Sequence, residues 1–307
     1  MRLSIAGLFL GLLLAIPALA REPAPPSPYV APAMWVIRDA DTTIHLFGTV
    51  HVLPKGVNWF RPHVVEALDA SDTLILEAKI PDDPMTMLGL SLRMARRAQL
   101  WPVSERVPAD RRAALASAIE RLKPGPLDQF DTWYVALTLA NLESRAAGFD
   151  TATGVEAVLT ERARIKKLRI EALETPEQQL TYFDALTEAD QQLLLASTLD
   201  GLATTRADTE ATVADWLKGD KDALAERINR EFEGSPMLKQ MLLGDRNARW
   251  AEIIAQRMAT PGKVFVAVGA GHLAGPNSLI ADLERYGLVV SRVREPAPDP
   301  KAARRRR

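Results

Sequence analysis

Residues 45–56 read HLFGTVHVLPKG. The run 43–47 has the apolar alternation of a strand, continues into Gly48, and presents His51 three positions further on. A glycine at the C-terminal end of a strand allows φ > 0 and a sharp exit from the sheet. The residue three positions later is then aimed across the sheet's edge. The same device recurs near the other end of the chain, where KVFVAV (263–268) runs into Gly269-Ala270-Gly271-His272. Both copies read strand, G-x-x-H, helix, strand. In a parallel α/β sheet the C-terminal ends of the strands share one edge, and ligands bind in the crevice there. His51 and His272 are therefore expected on one rim.

Working outward, 34–37 and 43–47 read as two strands joined by a polar Asp39-Ala40-Asp41 turn. A helix is expected at 62–70 and a short apolar strand, TLILEA, at 73–78. From about 84 to 166 the pattern is helical, with breaks at Pro102, Pro108 and Pro124-Gly125-Pro126. LRIEALE (168–174) reads as another strand. Helical periodicity returns from 176 to about 259, broken near Gly219 and Gly234-Ser235-Pro236, and the chain closes with a helix at 276–286 and the strand LVVSRV at 288–293. Strand, helix, strand order implies parallel pairing through crossovers. The expected fold is α/β: a mostly parallel central sheet with strands from both chain ends, flanked by helices and carrying a large helical insertion at about 84–166 and 176–259. One domain at 34–295 is expected to hold all of it.

The 307 residues carry a net charge of −1, 47% are apolar and 25% charged. That composition is globular, and the charge argues against nucleic acid as a partner. The absence of cysteine excludes disulfides, thiolate nucleophiles and Cys-ligated metals. Residues 1–20 read as a signal peptide: Arg2, an apolar run at 5–16, then Ala18-Leu19-Ala20. Residues 21–33 are a Pro/Ala-rich linker. The mature chain is expected in the periplasm, with no transmembrane helix. The tail at 296–307 ends in four arginines; it is expected to be disordered and could touch an anionic envelope surface.

Glu77 ends the strand 73–77 on the same rim. A carboxylate there is costly to bury unless paired or metal-bound. His51, Glu77 and His272 form a plausible ligand set for a divalent metal, with positions left for water and substrate. Structural alternatives exist for each: a turn histidine at 51, a structural histidine at 272, an ion pair of Glu77 with Lys79. In LGDRNARW (243–250), Arg246 can polarise a carbonyl or form an ion pair on a helix. Asn247 lies beside it. Glu174 stands where Thr175, Pro176 and Gln178 open a helix with a capping box. Glu174 and Asn247 are candidates for hydrogen-bonding partners behind a ligating histidine. TGVE (153–156) reads as a second capping box, Thr153 with Glu156. GAGHLAG also matches a dinucleotide fingerprint, but only one strand follows and no acidic residue ends it. Gly275 and Pro276 mark a helix start whose free N–H groups could hold an anion. His45 and His63 read as structural.

These motifs together resemble the TraB/GumN family. The resemblance runs from Met34 to about Val293 through HLFGTVHVLPKG, DTLILEA, TGVE, LETPEQQ, GDRNARW and VAVGAGHLAGPNSLIADLERYGLVVSRV. It implies kinship with the TIKI metalloproteases and, more distantly, with erythromycin esterase-like and haem-iron-binding ChaN-like proteins. An α/β fold with a helical insertion is implied, and a His/Glu site using a divalent metal such as manganese or cobalt; zinc is a further candidate for the same ligand set. By motif the site falls on His51, Glu77 and His272, with Arg246 assisting. The leading expectation is an extracytoplasmic metal-dependent hydrolase of peptide or amide bonds, taking a peptide or small-molecule substrate. A haem-iron or small-ligand binding protein, and a non-catalytic accessory of envelope polysaccharide export, are the alternatives. Ligation needs neutral imidazoles, so activity is expected to fall below about pH 6.

Overall fold

The computed structural model describes residues 31–293, apart from 55, 82, 98, 99 and 150–152. The expected signal peptide, most of the linker and the basic tail lie outside the described residues. The sheet is built from β1 (Met34–Arg38), β2 (Thr42–Thr49), β3 (Thr73–Ala78), β4 (Arg169–Glu174), β5 (Gly262–Gly269) and β6 (Ser291–Arg292). Their order is β4-β3-β5-β2-β1-β6. The four strands from β4 to β2 are parallel, while β1 pairs antiparallel with β2 and β6 with β1. Asp39 closes the β1–β2 turn by accepting from the Asp41 and Thr42 N–H groups at 3.1 and 2.7 Å. The fold is α/β, with a mostly parallel sheet drawn from both ends of the chain.

β5 comes late in the sequence but sits in the middle of the sheet, between β3 and β2. Strands covered on both faces read as continuous apolar runs, and KVFVAV is one. Val264, Val266 and Val268 face a core with Ile44, Leu46, Ile75, Trp250, Leu279 and Leu283. Phe265 and Ala267 face the other layer, with Phe47, Leu74, Val64, Val155 and Trp216.

Helix α1 (Pro62–Asp69) joins β2 to β3. Between β3 and β4 lie α2 (Pro84–Ala95), α3 (Arg112–Leu122), α4 (Thr132–Ala146) and α5 (Val155–Lys166). Between β4 and β5 lie α6 (Pro176–Asp184), α7 (Glu188–Gly201), α8 (Thr205–Leu217), α9 (Lys221–Glu231), α10 (Pro236–Lys239), a π-helical turn (Gln240–Gly244) and α11 (Asp245–Arg257). Helix α12 (Leu279–Arg285) follows β5. Helices α1 and α5 cover one face of the sheet, and α11 and α12 the other. A third core, around Trp133, Leu139, Phe183, Leu194 and Leu242, belongs to the inserted helices. Among the described residues no helix is long and apolar enough to cross a membrane.

The structure departs from the sequence reading at several points. The expected last strand shrinks to Ser291–Arg292, because Leu288 and Val290 pack against the α11–α12 core instead of entering a ladder, and Val289 is exposed. The last helix starts at Leu279 behind Ser278, not at Pro276; Gly275, at φ +86°, turns the chain before it. Gly48 is not in a positive-φ conformation. A Cβ on it would lie 3.1 Å from the Ala270 Cα, so glycine is needed there for close approach, not for a left-handed exit.

Candidate active site

The parallel register places the strand ends level. Thr49 pairs with Gly269, and Ala78 with Glu174. Short G-x-x-H segments then carry both histidines over this edge. Gly269 is the meeting point: a Cβ built on it would lie 3.1 Å from Glu77 Oε1, 3.6 Å from the His272 ring and 3.9 Å from His51 Nε2. Its backbone is also in an ordinary region, φ −49°. What the position requires is the absence of a side chain, because three functional groups crowd the same small space. Gly269→Ala is expected to cost about 1–3 kcal/mol, the usual range for overpacking, read as a lower urea midpoint.

Glu77 lies on the β3 face that carries Ile75, towards α11. Its Oε1 accepts the Gly269 N–H at 2.6 Å. Its Oε2 accepts from Arg246 Nη2 at 2.9 Å and from Gln179 of α6 at 3.4 Å. Arg246 also donates through Nε and Nη2 to Glu174, at 3.1 and 2.8 Å. One guanidinium therefore bridges two buried carboxylates. Tyr182 donates to Glu174 Oε1 at 2.7 Å. Burial alone would raise the Glu77 pKa, but Arg246 above all, with His51 and the Gly269 N–H, outweighs it and holds the carboxyl down at about 2. Burial likewise works against charge on Arg246, and the two glutamates overcome it. Glu77 does not pair with Lys79 as its alternative reading required.

The two histidines are oriented by helices from opposite layers. His272 Nδ1 lies 2.7 Å from Asn247 Oδ1, while the Asn247 amide N–H₂ donates to the Asn277 carbonyl. That amide orientation makes Nδ1 the protonated nitrogen and leaves the Nε2 lone pair facing Arg246 Nη1 at 3.3 Å and Glu77 Oε1 at 3.7 Å. Trp250, one turn beyond Arg246 on α11, packs its ring 4.4 Å from the His272 ring and 4.5 Å from the guanidinium carbon. Burial, despite the pull of Glu77, drops the His272 pKa to about 3, so the ring is neutral. His51 Nδ1 stands 2.7 Å from Glu156 Oε1 of α5. Burial would lower its pKa too, but Glu156, joined by Glu77, outweighs this and holds it up at about 9. His51 is half-buried, as are Glu156 and Tyr182, whereas Glu77, Glu174, Arg246, Asn247 and His272 are buried.

Of the six residues singled out from the sequence, Glu77, Glu174, Arg246, Asn247 and His272 share one network, and His51, bonded to Glu156, reaches the same space over Gly269. Glu174 holds Arg246 and not a histidine. Sequence reasoning missed Glu156, which the capping-box pattern hid. The cap of α5 is Gly154, with no side-chain cap bond, and Glu156 faces His51. It also missed Gln179, Tyr182 and Trp250, which nothing in their local sequence sets apart. The π-helical turn before α11 is a departure often found at functional sites. Arg246 and Asn247 follow it in the first turn of α11 and are buried.

Imidazole and carboxylate are the donor types that hold divalent metals. Two imidazoles each have Nδ1 engaged by an outer partner, the usual arrangement behind histidine ligands, and a carboxylate oxygen lies beside them. Among the described residues no three His, Cys, Asp or Glu side chains already stand at ligand spacing; the Arg246 guanidinium bridges Glu77 and His272.

A family model described as TraB/PrgY/gumN matches residues 33–292. An uncharacterized protein of Treponema pallidum (strain Nichols) is 24% identical over 273 residues, 83% of this chain and 81% of its own length. The uncharacterized protein YbaP of Escherichia coli (strain K12) is 23% identical over 254 residues, 82% of this chain and 91% of its own. YbaP of Shigella flexneri matches to the same extent. No solved structure matches.

Proposed function

We propose, from the premise that the chain belongs to the TraB/PrgY/gumN family, that it is an extracytoplasmic metal-dependent hydrolase of peptide or amide bonds. The observation that carries this reading is the arrangement over Gly269: two imidazole Nε2 atoms, with their Nδ1 atoms tied to Glu156 and Asn247, beside the Glu77 carboxylate. His51, Glu77 and His272 would hold the ion. A bound divalent ion supplies Lewis acidity towards a carbonyl and lowers the pKa of water. Glu77, held as an anion, offsets positive charge at the site. It is too weak a base at about pKa 2 to take up protons readily at neutral pH, which favours the ligand role over the general base. Arg246 keeps a fixed cation beside the reacting atoms and stabilises developing negative charge on the carbonyl oxygen. The half-buried pair His51 and Glu156 marks the side from which substrate enters.

The haem alternative fits less well. A porphyrin needs an open apolar slot beside its ligand, whereas Glu77, Arg246 and a second imidazole crowd the space at His51.

Calorimetric titration of the purified chain with Co²⁺ tests the assignment. His51→Ala and His272→Ala are each expected to lose more affinity than the roughly 10–100-fold that loss of an orienting partner costs. The pH dependence follows from His51. Its proton competes with the ion until the pH passes about 9, whereas His272 is neutral from about pH 3 upward. Affinity is expected to rise about tenfold per pH unit from pH 6.5 to 9, then level off, and His51→Ala removes that slope. The acid limb expected below pH 6 thus moves to higher pH, because Glu156 stabilises the His51 cation. Unchanged Co²⁺ affinity in both variants would discard the site.

A further inference from the structure

The segment 153–156 is stitched to the end of β2 by four hydrogen bonds. The Thr153 hydroxyl donates to the Leu53 carbonyl at 3.1 Å. The Val155 N–H donates to the Val50 carbonyl at 3.2 Å. The Thr49 hydroxyl donates to Glu156 Oε1 at 2.5 Å, and His51 Nδ1 reaches the same oxygen at 2.7 Å. Donors two residues apart along one strand end thus converge on a single carboxylate oxygen. Thr49 is itself fixed by its place beside Gly269 in the parallel ladder. The carboxylate lies in the first turn of α5, where the helix dipole favours negative charge. A carboxylate is an acceptor only, so whatever approaches His51 from the other side meets Nε2 on a ring that cannot flip without breaking this bond.

We propose that Glu156, with Thr49 as its brace, is the positioning residue of His51, and that α5 is thereby part of the working site. Asn247 does the corresponding task for His272 from the opposite layer, but with a neutral amide. The proposal rests on the metal-site reading for one of its two readouts.

The experiment compares Glu156→Ala, Glu156→Gln, His51→Ala and the double variant His51→Ala/Glu156→Ala. The first readout is Co²⁺ affinity. Compared at a pH where the affinity of the intact chain has levelled off, so that proton competition at His51 does not enter, Glu156→Ala is expected to lose about 10–100-fold. Glu156→Gln, which keeps an acceptor oxygen and the side-chain shape, loses less. The double variant is no weaker than His51→Ala alone. Additive losses in the double variant overturn the proposal, since they place Glu156 outside the His51 pathway. The second readout needs no metal. The His51 Nδ1–H proton is expected as a downfield, slowly exchanging NMR signal, present in the intact chain and in His272→Ala and absent in Glu156→Ala. Persistence of that signal in Glu156→Ala overturns the proposal. Should His51→Ala bind Co²⁺ like the intact chain, the hydrolase reading falls, while the proton signal still decides the role of Glu156. If Glu156→Ala fails to fold, Glu156→Gln carries both readouts: weakened affinity and a shifted signal support the proposal, and no change in either overturns it.

Discussion

Replacing Arg246 by alanine is expected to lower the free energy of unfolding by about 3–5 kcal/mol, the range seen when one partner of a buried ion network is removed. Arg246 is the cation between Glu77 and Glu174, donating at 2.8–3.1 Å to both. Without it two carboxylates share a water-poor space, each desolvated and each repelled by the other. The loss of cation packing against Trp250 adds to this. Urea denaturation at neutral pH measures the change as a lower midpoint. Acid relieves it. In the intact chain the depressed Glu77 pKa contributes stability above the ordinary carboxyl range, and this is lost as pH falls towards 2. In Arg246→Ala that contribution is absent, so the gap between the two proteins narrows as the pH drops. Removing the charges together, with Arg246→Met, Glu77→Gln and Glu174→Gln, is expected to recover much of the deficit, since a neutral replacement of a whole buried network is often tolerated. A loss below about 1 kcal/mol in Arg246→Ala, the scale of an exposed pair, would mean that the network is not sealed from water.

Glu77→Gln is expected to cost function more than fold. The amide keeps the shape and an acceptor for the Gly269 N–H; its N–H₂ then faces the Arg246 and Gln179 donors, which costs some stability, but Arg246 keeps Glu174 as a partner. What disappears is the negative charge at the point where three strand ends converge. Loss of a group that only orients a metal ligand costs about 10–100-fold in metal affinity or activity; Glu77 is proposed as a ligand itself, so turnover should fall by at least that factor. The measurement is a panel of chromogenic peptides, amides and esters, run with Mn²⁺, Co²⁺ or Zn²⁺, comparing the intact chain with Glu77→Gln at matched stability. Undiminished turnover in the variant would remove Glu77 from the chemistry, and the hydrolase assignment would lose its acid.

Much of this site was legible in the sequence because its parts are short-range signals. A strand ending in G-x-x-H can be read from six or seven residues, and two copies identify one edge of one sheet. Glu77 announces itself as an acid at the end of an apolar strand, and Glu174 as the acid between an alternating strand and a helix start. Arg246 and Asn247 stand out as polar residues in an otherwise leucine-rich approach. The reason for the glycines was misread. A sequence shows that glycine permits unusual backbone angles, but not that Ala270 or the Glu77 carboxylate occupies the place of a Cβ. Glu156 was hidden for a related reason. Thr-x-x-Glu before a helix satisfies a local rule, and only the tertiary fold reveals that both side chains turn away from that rule towards β2. The position of β5 between β3 and β2 was not readable either, since strand order depends on which faces the intervening helices cover.

The central place of β5 has a consequence during synthesis. A ribosome delivers β2 and β3 early, yet their facing edges stay unpaired until the chain has grown past residue 269. Neither half of the polypeptide can close the sheet by itself, and His272 arrives after almost every other group of the site. Pairings between such distant segments form slowly, so closure of the sheet waits on a strand that lies near the end of the chain.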